Sequence, residues 1–365
     1  MGCGGGGGQG IMKDRKGRIE LKNLTPEELE AFVISLEEKP FRARQLARWL
    51  YGRGARSFGE MTDLARGFRE KLEARAWIHF LEPVKVVTSS DGTKKYRFLL
   101  EDGEAIESVL LLEKDHYTLC LSTQAGCALG CKFCLTGKRG LKRNLEPSEI
   151  LDQIIGVRAT LRPERIITNL VLMGMGEPLE NFPNVVRALE VIRSPLGLQF
   201  SHRRVTLSTA GILPRMEELG LRQKFVKLAI SLNASTDQQR SALMPINRKY
   251  PLGDLLAACR RIPLASREKI TFEYVLIRGI NDSEEDARRV ALLLRGIRAK
   301  INLIPFNEHP ESPFQRPGEK FVQRFQEVLR AGGFTTMVRQ SRGEDILAAC
   351  GQLGGPAPRS LANGN

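Results

Sequence analysis

Cys127-Ala-Leu-Gly-Cys131-Lys-Phe-Cys134 sets three thiols in a C-x3-C-x2-C spacing. Three thiolates on one tight loop can hold three irons of a cubane cluster, leaving the fourth iron open to an external amino and carboxylate group. A structural zinc site takes four protein ligands, often as two C-x-x-C halves. No second half is present, although His116 or Cys120 could complete a tetrahedron. The chain has seven cysteines, the others being Cys3, Cys259 and Cys350. An odd count, with nothing near the N-terminus that reads as a signal peptide, argues for ligands, catalytic thiols or buried fillers over a disulfide framework. Cys259 falls at an apolar position of a helical stretch over 255–262 and reads as core. Cys350 follows two alanines, where a small hydrophobe would also fit. The polar run Arg342-Gly343-Glu344-Asp345 and the following Gly351 instead suggest a flexible segment able to deliver a thiol to two partners.

The elements that must position these residues alternate. Strand-like runs occur at 117–122, 166–173, 204–208, 227–232, 270–277 and 300–305, with helix-like stretches at 147–161, 184–193, 254–262, 284–296 and 319–331. Six successive βα units imply an α/β fold with a parallel sheet and right-handed crossovers. Polar or glycine-containing segments follow the strands: Cys127–Cys134, Gly174–Pro178, Ser208–Gly211, Ser231–Ala234 and Pro305–Asn307. Signals at the ends of many strands favour a partial (β/α)6 barrel over a doubly wound sheet, which would gather them at one switch point. Ahead of it, Asp91-Gly92 and Asp102-Gly103 mark a β-hairpin connector over 83–112. Earlier still, 19–82 reads as a small helical accessory module. Thr25-Pro26-Glu27-Glu28 opens its first helix with a capping box, followed by the stripe Leu29, Phe32, Val33, Leu36. A second helix is expected over 42–51, and a third carrying Met61, Leu64, Ala65, Phe68 and Leu72. Residues 1–18 form a glycine-rich disordered tail, 113–345 the core, and 346–365 a C-terminal segment with a linker-like end.

Across 365 residues, 56 Lys plus Arg against 42 Asp plus Glu give a net charge of +14. With 42% hydrophobic and 27% charged residues the chain can bury a core, which excludes a disordered tail protein. No apolar run approaches the roughly 18 residues of a membrane helix. The excess positive charge points to a polyanion, with nucleic acid foremost. Between Lys39 and Arg56 lie six basic residues and no acid, interleaved with Phe41, Trp49 and Tyr51. That suits RNA tracking and stacking; equally, the aromatics could be core and the arginines solvated. A second basic group, Lys132, Lys138, Arg139, Lys142 and Arg143, borders the triplet loop, where phosphates of a bound RNA would run. Lys132, between two ligands, could instead tune a cluster's potential.

The triplet loop after the first core strand resembles the radical S-adenosylmethionine (SAM) superfamily, and Gly174-Met175-Gly176-Glu177-Pro178 resembles that superfamily's GGEP motif. The runs GCALGCKFCLTGKRGLKRNL, MGMGEPLEN, VTLSTAG, MPINRKYPL, IPFN and RGEDILAACGQL, in this order from about Leu21 to Leu353, resemble the RlmN family of adenine-C2 methyltransferases of 23S rRNA and tRNA. The resemblance implies one 4Fe-4S cluster on Cys127, Cys131 and Cys134, and two SAM molecules per turnover, one as methyl donor and one as radical source. It implies that Cys350 carries the methyl group, that an S-methylene radical on Cys350 adds to adenine C2, and that Cys120 resolves the protein–RNA adduct through a transient disulfide. It makes Glu107 the proton acceptor, although a glutamate in a hairpin strand is ordinarily a solvated surface residue. For SAM it implies Gly176 and Glu177 at the amino group and Ser208 near the carboxylate. Ser231, Leu232 and Asn233 would line the nucleoside, and Asn307 would lie near the adenine. Asn233 stands where many family members have His, and Asn cannot protonate. The implied setting is a cytoplasmic monomer served by a flavodoxin or ferredoxin-type electron donor, away from membranes.

Two rival readings belong beside this one. Cfr-like C8 adenine methyltransferases share the cysteines and the chemistry; the N-terminal module and the ACGQL ending resemble the RlmN family more. A zinc-stabilised RNA-binding protein without catalysis is the alternative from another class.

Overall fold

The computed structural model describes residues 14, 16–113, 116–222 and 225–355. The expected tail at 1–18 falls almost wholly outside these residues, as does the linker-like end beyond Gly355. Along the chain run β1 (Ile19–Glu20), α1 (Pro26–Ser35), α2 (Phe41–Ala47), α3 (Arg66–Arg75), β2 (Ala76–Trp77), β3 (Pro83–Thr88), β4 (Lys94–Leu99), β5 (Ala105–Glu113), β6 (His116–Cys120), β7 (Gln124–Gly126), α4 (Leu135–Lys138) and β8 (Leu141–Asn144). There follow α5 (Pro147–Ala159), β9 (Ile167–Leu172), α6 (Phe182–Arg193), β10 (Val205–Thr209), α7 (Leu213–Leu221), β11 (Lys227–Ser231), α8 (Asp237–Leu243) and α9 (Leu252–Arg261). The chain continues with β12 (Ile270–Leu276), α10 (Glu284–Leu293), β13 (Ala299–Pro305), α11 (Glu319–Ala331) and β14 (Thr335–Val338). No helix among the described residues is long and apolar enough to cross a membrane.

Two compact units emerge. The larger comprises Glu82–Leu145, Leu161–Phe182 and Ser201–Asn365. Its centre is a ten-stranded sheet in the order β14-β13-β12-β11-β10-β9-β6-β5-β4-β3. The strands β6 and β9 to β14 pair in parallel, as a chain of βα units requires. β14 was not expected; its four residues, two of them exposed, carry too short a pattern to stand out. The hairpin connector is more than a link: β5, β4 and β3 continue the same sheet antiparallel to β6. Alternation along these strands sets what one face holds. Lys95 stands opposite Val109 and Arg97 opposite Glu107, while Val109 stands opposite Cys120. Lys95, Arg97, Glu107, Val109 and Cys120 therefore share one face.

The smaller unit comprises Met1–Leu81, Glu146–Thr160 and Pro183–Phe200, so α5 and α6 cluster with the N-terminal segment although they fall within 113–345 in sequence. α1 starts as expected: Thr25 Oγ1 accepts the Glu28 N–H, and the Glu28 carboxylate accepts the Thr25 N–H. Its stripe Leu29, Phe32, Val33 and Leu36 is buried. The third helix is shorter than its apolar spacing implied. α3 begins at Arg66, and Met61 and Leu64 reach the core from the turns before it. Trp49 and Tyr51 are core residues, whereas Phe41 is half exposed. The expected stacking surface of 39–56 thus reduces to Phe41, with Arg42 lying 4.9 Å over its ring; Arg53 packs 4.0 Å over Trp49.

Four ionisable groups meet in the interior of this unit. Asp152, fully buried on α5, pairs with Lys22 and takes a 2.6 Å contact from His79 Nδ1. Glu20 accepts backbone N–H groups from Asn23 and His79; burial pushes its carboxyl up to about 7. Burial also pushes His79 down, but the Asp152 hydrogen bond and charge outweigh it and raise His79 overall. A buried pair that loses one member leaves a bare charge in the core. Asp152→Asn is accordingly expected to lower stability by roughly 3–5 kcal/mol, measured by chemical denaturation. Because the folded His79 is raised, its share of stability is present at low pH and fades as pH rises through that raised value. The variant loses this pH dependence.

Candidate active site

The triplet loop leaves the sheet through a tight crossing of β7 and β8. Gly126 has φ +81°, and a Cβ there would lie 1.9 Å from the Gly140 carbonyl oxygen, which accepts the Cys127 N–H. The loop then closes on itself through Cys134 N–H to the Cys131 carbonyl, 3.2 Å. Burial pushes the Cys127 thiol up to about 12 and raises those of Cys131 and Cys134 as well. The charges of the other triplet thiols add to the effect at Cys127 and Cys131, which places the three within electrostatic reach of one another. Backbone N–H groups of Leu129, Gly137 and Thr136 point at the sulfurs of Cys127 and Cys134.

The other two thiols interact at the end of β6. Cys120 is buried, and its thiol is raised by burial first and by the charge of Cys350 second, so the two thiols are within electrostatic reach of each other. Cys350 feels Glu273, Arg339 and Cys134, and is pushed up to about 11, mainly by its crowded surroundings. It is nevertheless exposed to solvent. Residues 341–355 are seated there by hydrogen bonds: Leu135 N–H to the Gly351 carbonyl at 2.8 Å, Thr136 Oγ1 to the Leu353 carbonyl at 2.8 Å, and the Gln352 amide to the Glu308 carbonyl at 2.7 Å. Glu107 is buried rather than solvated: Oε2 accepts the Gly354 N–H at 2.8 Å, and Oε1 lies 3.5 Å from Lys95 Nζ.

Residues expected around SAM cluster at the strand ends, several already bonded within the protein. Gly176 has φ +100° and no room for a side chain, since a Cβ would sit 2.5 Å from Gln124 Cβ. The buried Glu177 carboxylate accepts the N–H groups of Ala210 and Leu179, and burial raises it to about 7. Its side chain braces two loops. Ser208 Oγ donates to Glu273 at 2.8 Å. Ser231 is half-buried and Leu232 fully buried. Asn233 adopts φ +58°, a conformation Asn tolerates better than most residues. Its side chain accepts the Val275 N–H at 2.9 Å, a structural role that needs no titration. Asn307 turns toward the C-terminal segment, its amide donating to the Cys350 carbonyl at 3.0 Å and its Oδ1 accepting from Ser341.

Three charged residues here escaped the sequence reading. Glu273, a lone acid in the apolar strand Ile-Thr-Phe-Glu-Tyr-Val-Leu, faces both Cys350 and Cys120; that lone charge was the available signal. Arg240 on α8 is fully buried and donates to the carbonyls of Ala210, Ser231 and Leu232, tying together two strand ends beside Cys131. Lys95 is buried against Glu107. Next to Glu107 opens a cavity of about 250 Å³, lined among others by Arg97, Arg139, Lys142 and Gly354. Among the described residues those three cations form no ion pair, whereas Arg143 pairs with Asp102 and Lys138 donates to the Glu311 carbonyl.

The donor set suits a polynuclear cluster. Three half-buried thiols on one loop, with N–H groups aimed at two of them, become stable as thiolates only beside added positive charge. Gly126→Ala is expected to bind much less iron than the unsubstituted protein after anaerobic reconstitution. Gly130→Ala, also at positive φ but with no neighbour within 4 Å, keeps its iron. Iron and sulfide analysis checks both.

A family model described as the ribosomal RNA large subunit methyltransferase N-terminal domain matches residues 19–78, and the radical SAM superfamily model matches 121–291. The dual-specificity RNA methyltransferase RlmN of Syntrophotalea carbinolica is 51% identical over 346 residues, covering 94% of this chain and 92% of that protein. That of Syntrophobacter fumaroxidans is 53% identical over 333 residues, covering 91% and 97%. A crystal structure of a radical SAM methyltransferase from Sphaerobacter thermophilus superposes with a TM-score of 0.86 at 43% identity, covering 92% of this chain and 99% of that one. Fold, site and sequence agree: the chain belongs to the RlmN family of the radical SAM superfamily.

Proposed function

We propose that this enzyme methylates C2 of an adenosine in the peptidyl-transferase centre of 23S rRNA and of the adenosine 3′ to the anticodon in tRNA. The neighbourhood of the Cys350 and Cys120 thiols carries the reading, and the relatives' name, dual-specificity RNA methyltransferase, supplies the substrate class. As a radical SAM enzyme it uses a 4Fe-4S cluster and SAM, which together supply a 5′-deoxyadenosyl radical and a methyl group. Cys127, Cys131 and Cys134 hold the cluster. The strand ends around Gly176, Ser208, Ser231 and Asn233 form the SAM cradle.

The protein's own residues do the rest. Adenine C2 is electrophilic and cannot attack a SAM methyl group, so Cys350 takes the methyl first. The 5′-deoxyadenosyl radical would take a hydrogen atom from that methyl group, and the resulting S-methylene carbon of Cys350 adds to C2. Glu107 accepts the C2 proton as the ring regains aromaticity, and the one surplus electron of the adduct leaves to the oxidised cluster, which would serve as its acceptor. Cys120 next attacks Cys350 Sγ: an S–S bond forms and the S–C bond breaks. The bonding pair stays on the methylene carbon, which takes up a proton and becomes the product methyl. Because burial raises Cys120 far above an ordinary thiol, it attacks only once a base takes its proton. The disulfide is a catalytic one, compatible with a reducing cytoplasm. A flavodoxin or ferredoxin-type donor supplies electrons to this monomer.

Cys120→Ala is expected to accumulate a covalent protein–RNA adduct, visible on denaturing gels; turnover without an adduct overturns the resolving role. Nucleoside mass spectrometry of the wild-type product should show 2-methyladenosine, and 8-methyladenosine would move the enzyme to the Cfr-like class. The unpaired cations at the cavity supply phosphate contacts. Arg97→Gln, Arg139→Gln and Lys142→Gln together should weaken RNA binding and flatten its salt dependence, by a slope of about 0.7 for each phosphate no longer neutralised, with SAM cleavage in the absence of RNA retained.

A further inference from the structure

Lys95 is one of the few lysines of this chain withdrawn from solvent, and it lies on the sheet face that carries Glu107 and Cys120. Its ammonium has two partners. Glu107 Oε1 is 3.5 Å away, and the Leu347 carbonyl accepts a hydrogen bond at 3.1 Å. Leu347 lies three residues before Cys350 and adopts φ +53°, a left-handed conformation costly for a leucine. Such a conformation persists only where its surroundings hold it, and here the held group is its carbonyl. The second oxygen of Glu107 is fixed by the Gly354 N–H, on the far side of Cys350. Lysine and glutamate together therefore grip the thiol-bearing segment before and after Cys350.

We propose that Lys95 is the positioning residue for Glu107, aiming the carboxylate while it locks the Cys350 segment in the strained register that brings the adduct to that carboxylate. The proposal rests on Glu107 being the proton acceptor. In the step it serves, the C2–H bond breaks and the proton passes to a Glu107 oxygen; the bonding pair restores the aromatic ring, and the adduct's one surplus electron leaves to the oxidised cluster, which would accept it. Lys95 keeps its three protons throughout. The need for a cation is geometric: with Oε2 held by the Gly354 N–H, the ammonium 3.5 Å from Oε1 fixes the remaining freedom of the carboxylate. Burial in turn pushes Lys95 below the ordinary lysine range, Glu107 opposing it and Arg97 and Lys85 adding to it. The charged groups around Glu107 are Lys95, its cross-strand neighbour Arg97, and Glu104, Arg139 and Lys142 at the cavity. Of these, only Lys95 forms an ion pair with it among the described residues.

The test is single-turnover methylation of a transcribed tRNA by the full-length, reconstituted enzyme. Lys95→Met should slow methylation by about tenfold or more. Lys95→Arg, which keeps the charge and the donors, should restore most of that rate. Glu107→Gln should cost about a hundredfold. Lys95→Met added to Glu107→Gln should cost little more, because a residue acting through Glu107 has nothing left to act on. The charge-free pair also removes the bare buried carboxylate, so the double variant stays folded by thermal melting even where Lys95→Met alone does not. A Lys95→Met enzyme with wild-type rate overturns the proposal. So does a double variant that loses a further factor as large as the single Lys95 change. Wild-type methylation by Glu107→Gln would instead overturn the proton-acceptor reading beneath it.

Discussion

A hydrogen-bonded seam joins residues 341–355 to the strand ends. The Leu135 N–H holds the Gly351 carbonyl, the Thr136 hydroxyl holds that of Leu353, and the Asn307 amide holds that of Cys350. Under the proposed function, a thiol that takes a methyl group, meets a base and later meets a second thiol cannot sit on a rigid strand. It cannot dangle free either, because misplacement by an ångström costs most of the rate advantage of a positioned group. Backbone bonds on both sides of Cys350, with glycines at positive φ at Gly343, Gly351 and Gly354, give a segment with a fixed resting place and hinges on either side.

Buried charge gives the site its second constraint. Arg240 directs its guanidinium to backbone carbonyls of two strand ends, and Glu177 directs its carboxylate to the amides of Ala210 and Leu179. In a barrel whose active groups lie on loops, such side chains replace the hydrogen-bond ladder that stops where the strands stop. They hold loops at fixed separations while leaving backbone groups to face a ligand. The same logic explains Asn233: its left-handed backbone and its bond to the Val275 N–H are satisfied by a neutral amide.

Much of this was legible in advance. The parallel strands lie within a residue or two of their expected places because near-continuous apolar runs between helical stretches leave few alternatives. The capping box of α1 is a local pattern, and it forms. Apolar spacing misled at Met61 and Leu64, which are buried from turns, since burial requires only that a side chain face the core. Trp49 and Tyr51 fitted a stacking surface and a core position equally well in the sequence, and packing places them inside. Glu107 would pass for a surface residue of a hairpin, and only the arrival of the chain's far end buries it.

By itself the sequence determined the inventory of chemistry: a thiol triplet after the first core strand, the further thiols Cys120 and Cys350, and glycines where backbones must cross. These are properties of short segments, set by residue type and spacing. The tertiary structure alone decided which groups meet. That Cys350 feels Cys120 from 230 positions away in the chain, and that Lys95 and Glu107 hold residues on both sides of it, depends on strand register and on where the C-terminal segment docks. Neither is written in any one segment, because each results from many apolar contacts choosing a single packing.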